Sequence, residues 1–62
     1  MNKLMKAIDA AMNEYYTVNG IEFNPFNWEE EKNAIAYAAR KLNMTSEAII
    51  EEFYWKGGKE NA

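Results

Sequence analysis

The sequence predicts a mostly α-helical domain of three helices, and three observations favour this fold class. Apolar residues recur at three- and four-residue steps in successive segments, the period that places them on one face of a helix. Residues that favour helix caps, namely Asn, Ser, Thr and Gly, stand at the ends of these segments. A chain of 62 residues, 48% of them hydrophobic, suffices for one small core. We therefore expect a single domain over 1–62.

The first helix is predicted over about 2–16. Its polar residues occupy the positions between the apolar ones, as expected for a helix with one buried face. The apolar face comprises Met1, Leu4, Met5, Ile8, Ala11, Met12, Tyr15 and Tyr16.

The stretch 16–23 has two interpretations. Asn19-Gly20, between residues of alternating polarity, is typical of a two-residue β-hairpin, because Asn and Gly tolerate a positive φ. The same pair would also end the first helix, with one residue in the left-handed conformation. The sequence leaves both a short hairpin and a helix end open. Asn24-Pro25 then predicts an extended or turn conformation.

The second helix is predicted over 28–42. Asn27 can cap its first amides, and Glu30 lies at the spacing of a capping box. The run 29–31 is acidic and suits the positive end of the helix dipole, whereas Arg40 and Lys41 suit the negative end. The predicted buried stripe comprises Trp28, Ile35, Ala38, Ala39 and Leu42. Asn43 ends the helix.

The third helix is predicted over 46–56. Either Thr45 or Ser46 caps it, and Gly57-Gly58 stops it. Its apolar face comprises Ile49, Ile50, Phe53 and Tyr54. The remaining residues, 59–62, are predicted to form a loose tail.

The segment Ala38–Ile49 resembles a helix-turn-helix unit. It has small residues where two helices would cross, Asn43 at the turn position usually held by glycine, and Ile49 placed to pack back on the preceding helix. The resemblance departs from the pattern at the next core position. An apolar residue is expected at Glu52 but appears one position later, at Phe53.

The resemblance implies DNA binding through the helix that begins near Ser46. That helix carries Glu47, Glu51 and Glu52 but no Arg, Lys, Asn or Gln before Lys56. Affinity for DNA comes largely from Lys and Arg contacts with phosphates, and the formal net charge of the chain is −3. We therefore expect no direct binding to duplex DNA.

The composition argues against catalysis and against a metal or cofactor. The chain has no histidine, no cysteine and no glycine-rich phosphate loop. Glu29, Glu30 and Glu31 are consecutive, so on a helix their side chains diverge and cannot converge on one ion. The chain also lacks an apolar stretch of membrane-spanning length and the features of a secretory signal. We expect a soluble, cytoplasmic protein that is not an enzyme.

The aromatic residues, nine of 62, are too many for one small core. We expect core or linker positions for four of them: Tyr15, Phe23, Trp28 and Phe53. Two others lie off the apolar stripes of their helices, so each is either a partner contact or a ring folded over the edge of the core. These are Tyr37, near Arg40 and Lys41, and Trp55, near Glu51 and Glu52. The predicted partner-binding residues are Trp55, Glu47, Glu51, Glu52 and Tyr37.

The function that these observations favour is binding to a macromolecular partner. An acidic helix with an exposed tryptophan suits the basic cleft of a protein that handles nucleic acids. In size and charge the chain resembles phage and mobile-element accessory proteins, anti-CRISPR proteins among them, which block host enzymes. The alternatives are an acidic helix-turn-helix regulator, with Lys3, Lys6, Arg40 and Lys41 as its DNA contacts, and a homodimeric assembly subunit. Homodimers are a common remedy for a core this small.

Overall fold

The computed structural model of the chain describes residues 2–56, with Lys56 described in its backbone only. Over this range the fold is mostly helical and has no strand, which confirms the prediction of a small three-helix, all-α domain. The elements are α1 (Lys3–Asn19), α2 (Trp28–Lys41) and α3 (Ser46–Ile50), and α3 continues into a π-helical segment (Glu51–Lys56). The predicted stop at Gly57-Gly58 and the tail 59–62 lie outside the described residues.

Each α-helix begins at a side-chain cap. The carbonyl or hydroxyl oxygen of Asn2, Asn27 and Thr45 accepts a hydrogen bond from the backbone N–H of Met5 (2.7 Å), Glu30 (3.2 Å) and Ala48 (3.1 Å), respectively. Thr45, rather than Ser46, is therefore the cap of α3. The predicted capping box at α2 is only half formed. The backbone N–H of Asn27 donates to the Asn24 carbonyl oxygen at 3.0 Å, and the Glu30 carboxylate accepts from the Tyr15 hydroxyl at 2.8 Å.

The C-terminal end of α1 is a Schellman motif. Gly20 lies in the left-handed region, with φ 64°. Its N–H donates to the Thr17 carbonyl oxygen at 3.2 Å, and the N–H of Ile21 donates to the Tyr16 carbonyl oxygen at 2.9 Å. Ile21 then packs against the core. The helix consequently extends three residues beyond its predicted end, and the hairpin interpretation of this stretch is wrong.

The end of α2 repeats this motif. Asn43, with φ 57°, is in the left-handed conformation that its place in the turn predicts. Its N–H donates to the Arg40 carbonyl oxygen at 3.4 Å, and that of Met44 donates to the Ala39 carbonyl oxygen at 2.8 Å. Met44 packs against the core as Ile21 does. Four residues, 42–45, therefore suffice to turn the chain from α2 into α3.

The core lies where α1, α2 and α3 meet. Ile8 of α1 and Ile49 of α3 are its largest fully buried side chains, and Ala34 and Ala38 of α2 are fully buried between them. Small side chains at these positions let the helices approach closely. The buried cluster comprises Ile8, Ala11, Met12, Tyr16, Ala34, Ile35, Ala38, Ala39 and Ile49.

The third helix, by which we mean α3 together with the π-helical segment, is α-helical only to Ile50. The π-helical segment replaces its predicted second half. A π-helix uses i→i+5 hydrogen bonds, so each turn holds more residues than an α-helical turn. This wider turn accommodates the apolar position that falls one residue late in the sequence. Phe53 packs against the core, and Glu52 is half-buried beside it.

Several side chains predicted to be core are exposed. Tyr15 and Phe53 do pack on the core, but Trp28 is 71% exposed and Phe23 is 58% exposed. Trp28 shares the helix face of Ile35 but lies two turns earlier, at the exposed start of α2. Ile50 and Tyr54 are also predicted to be core and are more than one-third exposed.

Candidate partner-binding surface

The described part of the third helix presents an exposed indole together with acidic side chains. Trp55 is 66% exposed, and Glu47 and Glu51 are exposed as well. Glu52 is half-buried. Residues four apart on a helix are neighbours, so Glu51 and Trp55 share one side of the π-helical segment. Of these four predicted partner-binding residues, Glu47 lies on α3 and the other three lie on the π-helical segment that continues it.

Tyr37, the fifth predicted residue, lies in a different place. Its ring is half-buried against Tyr15 of α1, with centroids 5.8 Å apart, and Lys41 Nζ lies 5.8 Å from the Tyr37 ring centroid. Hydrogen bonds from Lys41 and Tyr37 lower the pKa of the Glu14 carboxyl group. These contacts are all within α1 and α2, so the structure does not group Tyr37 with Trp55.

Sequence reasoning missed an apolar groove between α2 and the third helix. The groove has a volume of about 270 Å³ and is lined by Trp28, Glu31, Lys32, Ile35, Ile50 and Tyr54. Four of these side chains, Trp28, Ile35, Ile50 and Tyr54, are predicted to be core, so the sequence pattern alone does not indicate a groove here. The composition gives one indication of such a groove. The nine aromatic residues of the chain are too many for one small core, so some of the rings must lie outside it.

A second cavity, which we call the aromatic cavity, lies on the other side of Tyr54. Its volume is about 370 Å³, and it is lined by Asp9, Met12, Asn13, Tyr16, Phe23, Glu31, Phe53 and Tyr54. The groove and the aromatic cavity share Glu31 and Tyr54, and the Tyr54 hydroxyl donates a hydrogen bond to the Glu31 carboxylate. This hydrogen bond therefore connects the walls of both concavities.

The acidic first turn of α2 sets the electrostatics of these concavities. Burial, followed by the hydrogen bond to Glu31, raises the pKa of the Tyr54 hydroxyl. Burial, followed by the charges of Glu31 and Glu30, raises the pKa of the Tyr16 hydroxyl. The carboxylates of this turn therefore contribute, after burial, to the raised pKa of both hydroxyls. The acidic run at the start of α2 binds tyrosines of two neighbouring elements in addition to suiting the helix dipole.

Residues 2–56 contain neither a metal-binding cluster nor a membrane-spanning helix. Among residues 2–56, no group of three or more acidic, histidine or cysteine side chains is placed to hold a metal ion. Over the same range, no helix combines the length and apolar character that crossing a membrane requires. Comparison of the chain with protein-family models, curated proteins and solved structures gives no match. Its function is therefore inferred from its own side chains.

Proposed function

We propose that this chain is a non-enzymatic, cytoplasmic protein-binding module that inhibits or modulates a larger, basic partner of the kind that handles nucleic acids. One observation carries the proposal. Large apolar side chains are exposed along the third helix and the adjoining start of α2, and carboxylates lie beside them. The apolar set comprises Trp28, Ile50, Tyr54 and Trp55.

These side chains have the composition of an interface core with an acidic rim. Tryptophan and tyrosine are enriched among the residues that contribute most to binding energy, because they bury a large area with few rotatable bonds. Glu47 and Glu51 are exposed on the third helix and can attract a basic surface before the apolar contacts form. A partner with basic residues around an apolar pocket would satisfy both groups.

The charge distribution supports a protein partner over duplex DNA. Lys41, one of the four DNA contacts that the regulator hypothesis names, forms an ion pair with Glu14. Glu47 and Glu51 would face the phosphates if α3 entered the major groove, and like charges repel. The regulator hypothesis therefore depends on Lys3, Lys6 and Arg40, which lie on other helices.

Affinity capture with a matched control tests the proposal. Wild-type protein, Trp55→Ala and Val18→Ala are immobilised, and the proteins retained from a lysate are quantified at low and high salt. Val18 is exposed on α1, so its truncation controls for loss of an exposed apolar group. We expect basic proteins to be retained by wild type and by Val18→Ala but not by Trp55→Ala. We also expect the nucleic-acid-handling activity of the retained proteins to fall when wild-type protein is added. Equal retention of basic proteins by Trp55→Ala and by wild type would contradict the proposal.

Two further measurements address the alternatives. We expect no micromolar complex with a labelled duplex in a mobility-shift assay at about 50 mM salt, where electrostatic binding is strong. Such a complex would favour the helix-turn-helix regulator. In sedimentation experiments, a tight dimer abolished by Trp55→Ala would favour the homodimeric assembly subunit, whereas weak self-association is compatible with a marginal core.

A further inference from the structure

We propose that the aromatic cavity is a cage for the cationic end of a basic side chain, lysine or arginine, of the partner. This inference rests on the proposed function and deepens it, because it names the chemical group that the chain recognises. Four aromatic residues and two acidic residues line this cavity.

The rings come from three parts of the chain and form two edge-to-face pairs. Tyr16 of α1 and Phe23 of the following loop have centroids 5.6 Å apart and an interplanar angle of 90°. Phe53 and Tyr54 of the π-helical segment have centroids 5.3 Å apart and an angle of 78°. The face of an aromatic ring carries negative charge density, so several rings around one space attract a cation.

The charged residues that line the cavity are both acidic. Asp9 and Glu31 are lining residues, and no lysine or arginine is among the described lining residues. Asp9 accepts a hydrogen bond from the Asn13 amide at 3.4 Å, and Glu31 accepts one from Tyr54. A carboxylate has about four acceptor sites, so each retains capacity for the N–H groups of a cation. Burial and, after it, Glu31 raise the pKa of the Tyr16 and Tyr54 hydroxyls.

Tyr16 provides an independent observation. Its side chain is only 7% exposed, and its hydroxyl group has no hydrogen-bond partner among the described residues. Buried polar groups are nearly always paired, because an unpaired one loses its hydrogen bond to water without replacement. The Tyr16 side chain lines the cavity, so the wall of the proposed cage contains this unpaired polar group.

The same features select against other ligands. An anion would be repelled by Asp9 and Glu31. A neutral apolar ligand would cover both carboxylates without pairing them, which is unfavourable. The volume of about 370 Å³ falls within the range of small-ligand pockets and leaves room for an ammonium or guanidinium group with part of its alkyl chain.

The test is an NMR titration of the full chain with three probes. Two are cationic, the N-acetyl methylamides of arginine and of lysine. The third is the corresponding citrulline derivative, in which a neutral urea replaces the guanidinium group with little change of shape. We expect the better cationic probe to shift the ring resonances of Tyr16, Phe23, Phe53 and Tyr54 and to bind at least tenfold more tightly than the citrulline derivative. The ratio of the two cationic affinities identifies the preferred side chain.

Variants of lining and non-lining residues test whether the cationic probes bind in the aromatic cavity. Phe53→Leu removes one ring but keeps most of its apolar volume, and Asp9→Asn removes one lining charge without changing the core. Each is expected to weaken cation binding at least threefold. Phe26→Leu removes a ring that is 85% exposed and does not line the cavity, so it should bind as wild type does. If Phe53→Leu does not fold, the comparison of Asp9→Asn with Phe26→Leu decides between the outcomes.

The outcomes separate this inference from the proposed function. Equal binding of citrulline and arginine derivatives, or shifts confined to residues outside the cavity, would overturn the cage even if Trp55 proves essential for capturing a basic protein. Tenfold selectivity that falls at least threefold in Asp9→Asn and is kept in Phe26→Leu would establish the cage, even if no basic protein is captured and the proposed function fails.

Discussion

The α1–α2 half of the molecule and the third helix use their side chains in different ways. Between α1 and α2, apolar side chains are buried on small residues such as Ala34 and Ala38, and the Glu14–Lys41 ion pair closes the outer edge. The third helix buries Ile49 completely but leaves Ile50 and Trp55 substantially exposed. The comparison indicates that α1 and α2 supply the scaffold, while the third helix is attached to it through Ile49 and Phe53 and presents Ile50 and Trp55 to solvent.

The largest expected effect in the fold is at that point of attachment. Ile49→Ala empties a fully buried site, which typically destabilises a protein by about 2–5 kcal/mol. The core of so small a domain supplies roughly 3–5 kcal/mol, so this variant should be largely unfolded or close to it. Urea denaturation followed by circular dichroism measures the free energy of unfolding.

Ile50→Ala is the matched control, because it makes the same chemical change at the next residue. Ile50 is partly exposed and borders the groove, so we expect a loss below about 1 kcal/mol. Equal losses for the two variants would contradict the division between an attached face and a presented face.

The next effect concerns binding. Trp55→Ala should change the free energy of unfolding by less than about 1 kcal/mol, because the indole is exposed. It should weaken partner binding by about 2 kcal/mol or more, as expected for a residue at the centre of an interface. Calorimetric titration with the captured partner measures the free energy of binding for the variant and for wild type. If Trp55→Ala unfolds the domain as Ile49→Ala does, Trp55 belongs to the core.

The acidic side chains should act mainly on the rate of encounter. Charge reversal by Glu51→Lys or Glu52→Lys is expected to slow association with a basic partner, and less so at high salt, because rim charges steer diffusion. Stopped-flow association rates at two salt concentrations measure this effect. A rate that is unchanged at low salt would show that the partner surface facing these residues is not basic.

The same local rules predicted one helix end correctly and left another undecided. Asn43 stands between two strongly periodic helices, so its left-handed conformation follows from the sequence. Asn19-Gly20 favours a hairpin and a helix end equally, since both need a residue with positive φ. Packing of Ile21 against the core decides between them, and this is a tertiary contact that periodicity does not contain.

The candidate site was predictable only in part. Trp55 and its acidic neighbours follow from helical periodicity, because they lie off the apolar stripe. The groove beside Trp28 does not, because whether a third element covers the start of α2 depends on how the helices are arranged. The π-helical segment left one trace in the sequence, namely the apolar position displaced from Glu52 to Phe53. A displacement of one residue is what an expanded helical turn accommodates.

A smaller effect is expected where α1 ends. Gly20→Ala places a side chain in the left-handed conformation, which should destabilise the fold by about 1 kcal/mol. An added Cβ meets no atom within 4 Å, so the loss comes from the backbone alone. Gly20→Asn should lose less, because asparagine tolerates this conformation, as it does at Asn43. Thermal denaturation ranks the three proteins, and equal midpoints would contradict the strain argument.

The smallest effect compares two tyrosine–carboxylate hydrogen bonds, one in each half of the molecule. Tyr54 donates to Glu31 in the third-helix half, and Tyr15 donates to Glu30 in the α1–α2 half. The pKa of the Tyr54 hydroxyl is raised in the folded state by burial and by this hydrogen bond. The contribution of Tyr54 to stability is therefore complete below the unfolded-state pKa of about 10 and is lost as the pH rises above it.

Tyr54→Phe should consequently lower the free energy of unfolding at pH 8 by less than about 1 kcal/mol, since the ring is partly exposed and water screens the interaction. Between pH 8 and pH 10.5 the variant should lose less stability than wild type, because it has no hydroxyl to ionise. Tyr15→Phe is the matched control. The pKa of Tyr15 is also raised, first by its hydrogen bond to Glu30, but burial is not its leading cause as it is for Tyr54. Urea denaturation at the two pH values measures how much unfolding free energy each protein loses between them. This loss should differ less from wild type in Tyr15→Phe than in Tyr54→Phe. A larger difference in Tyr15→Phe would place the stronger hydrogen bond between α1 and α2.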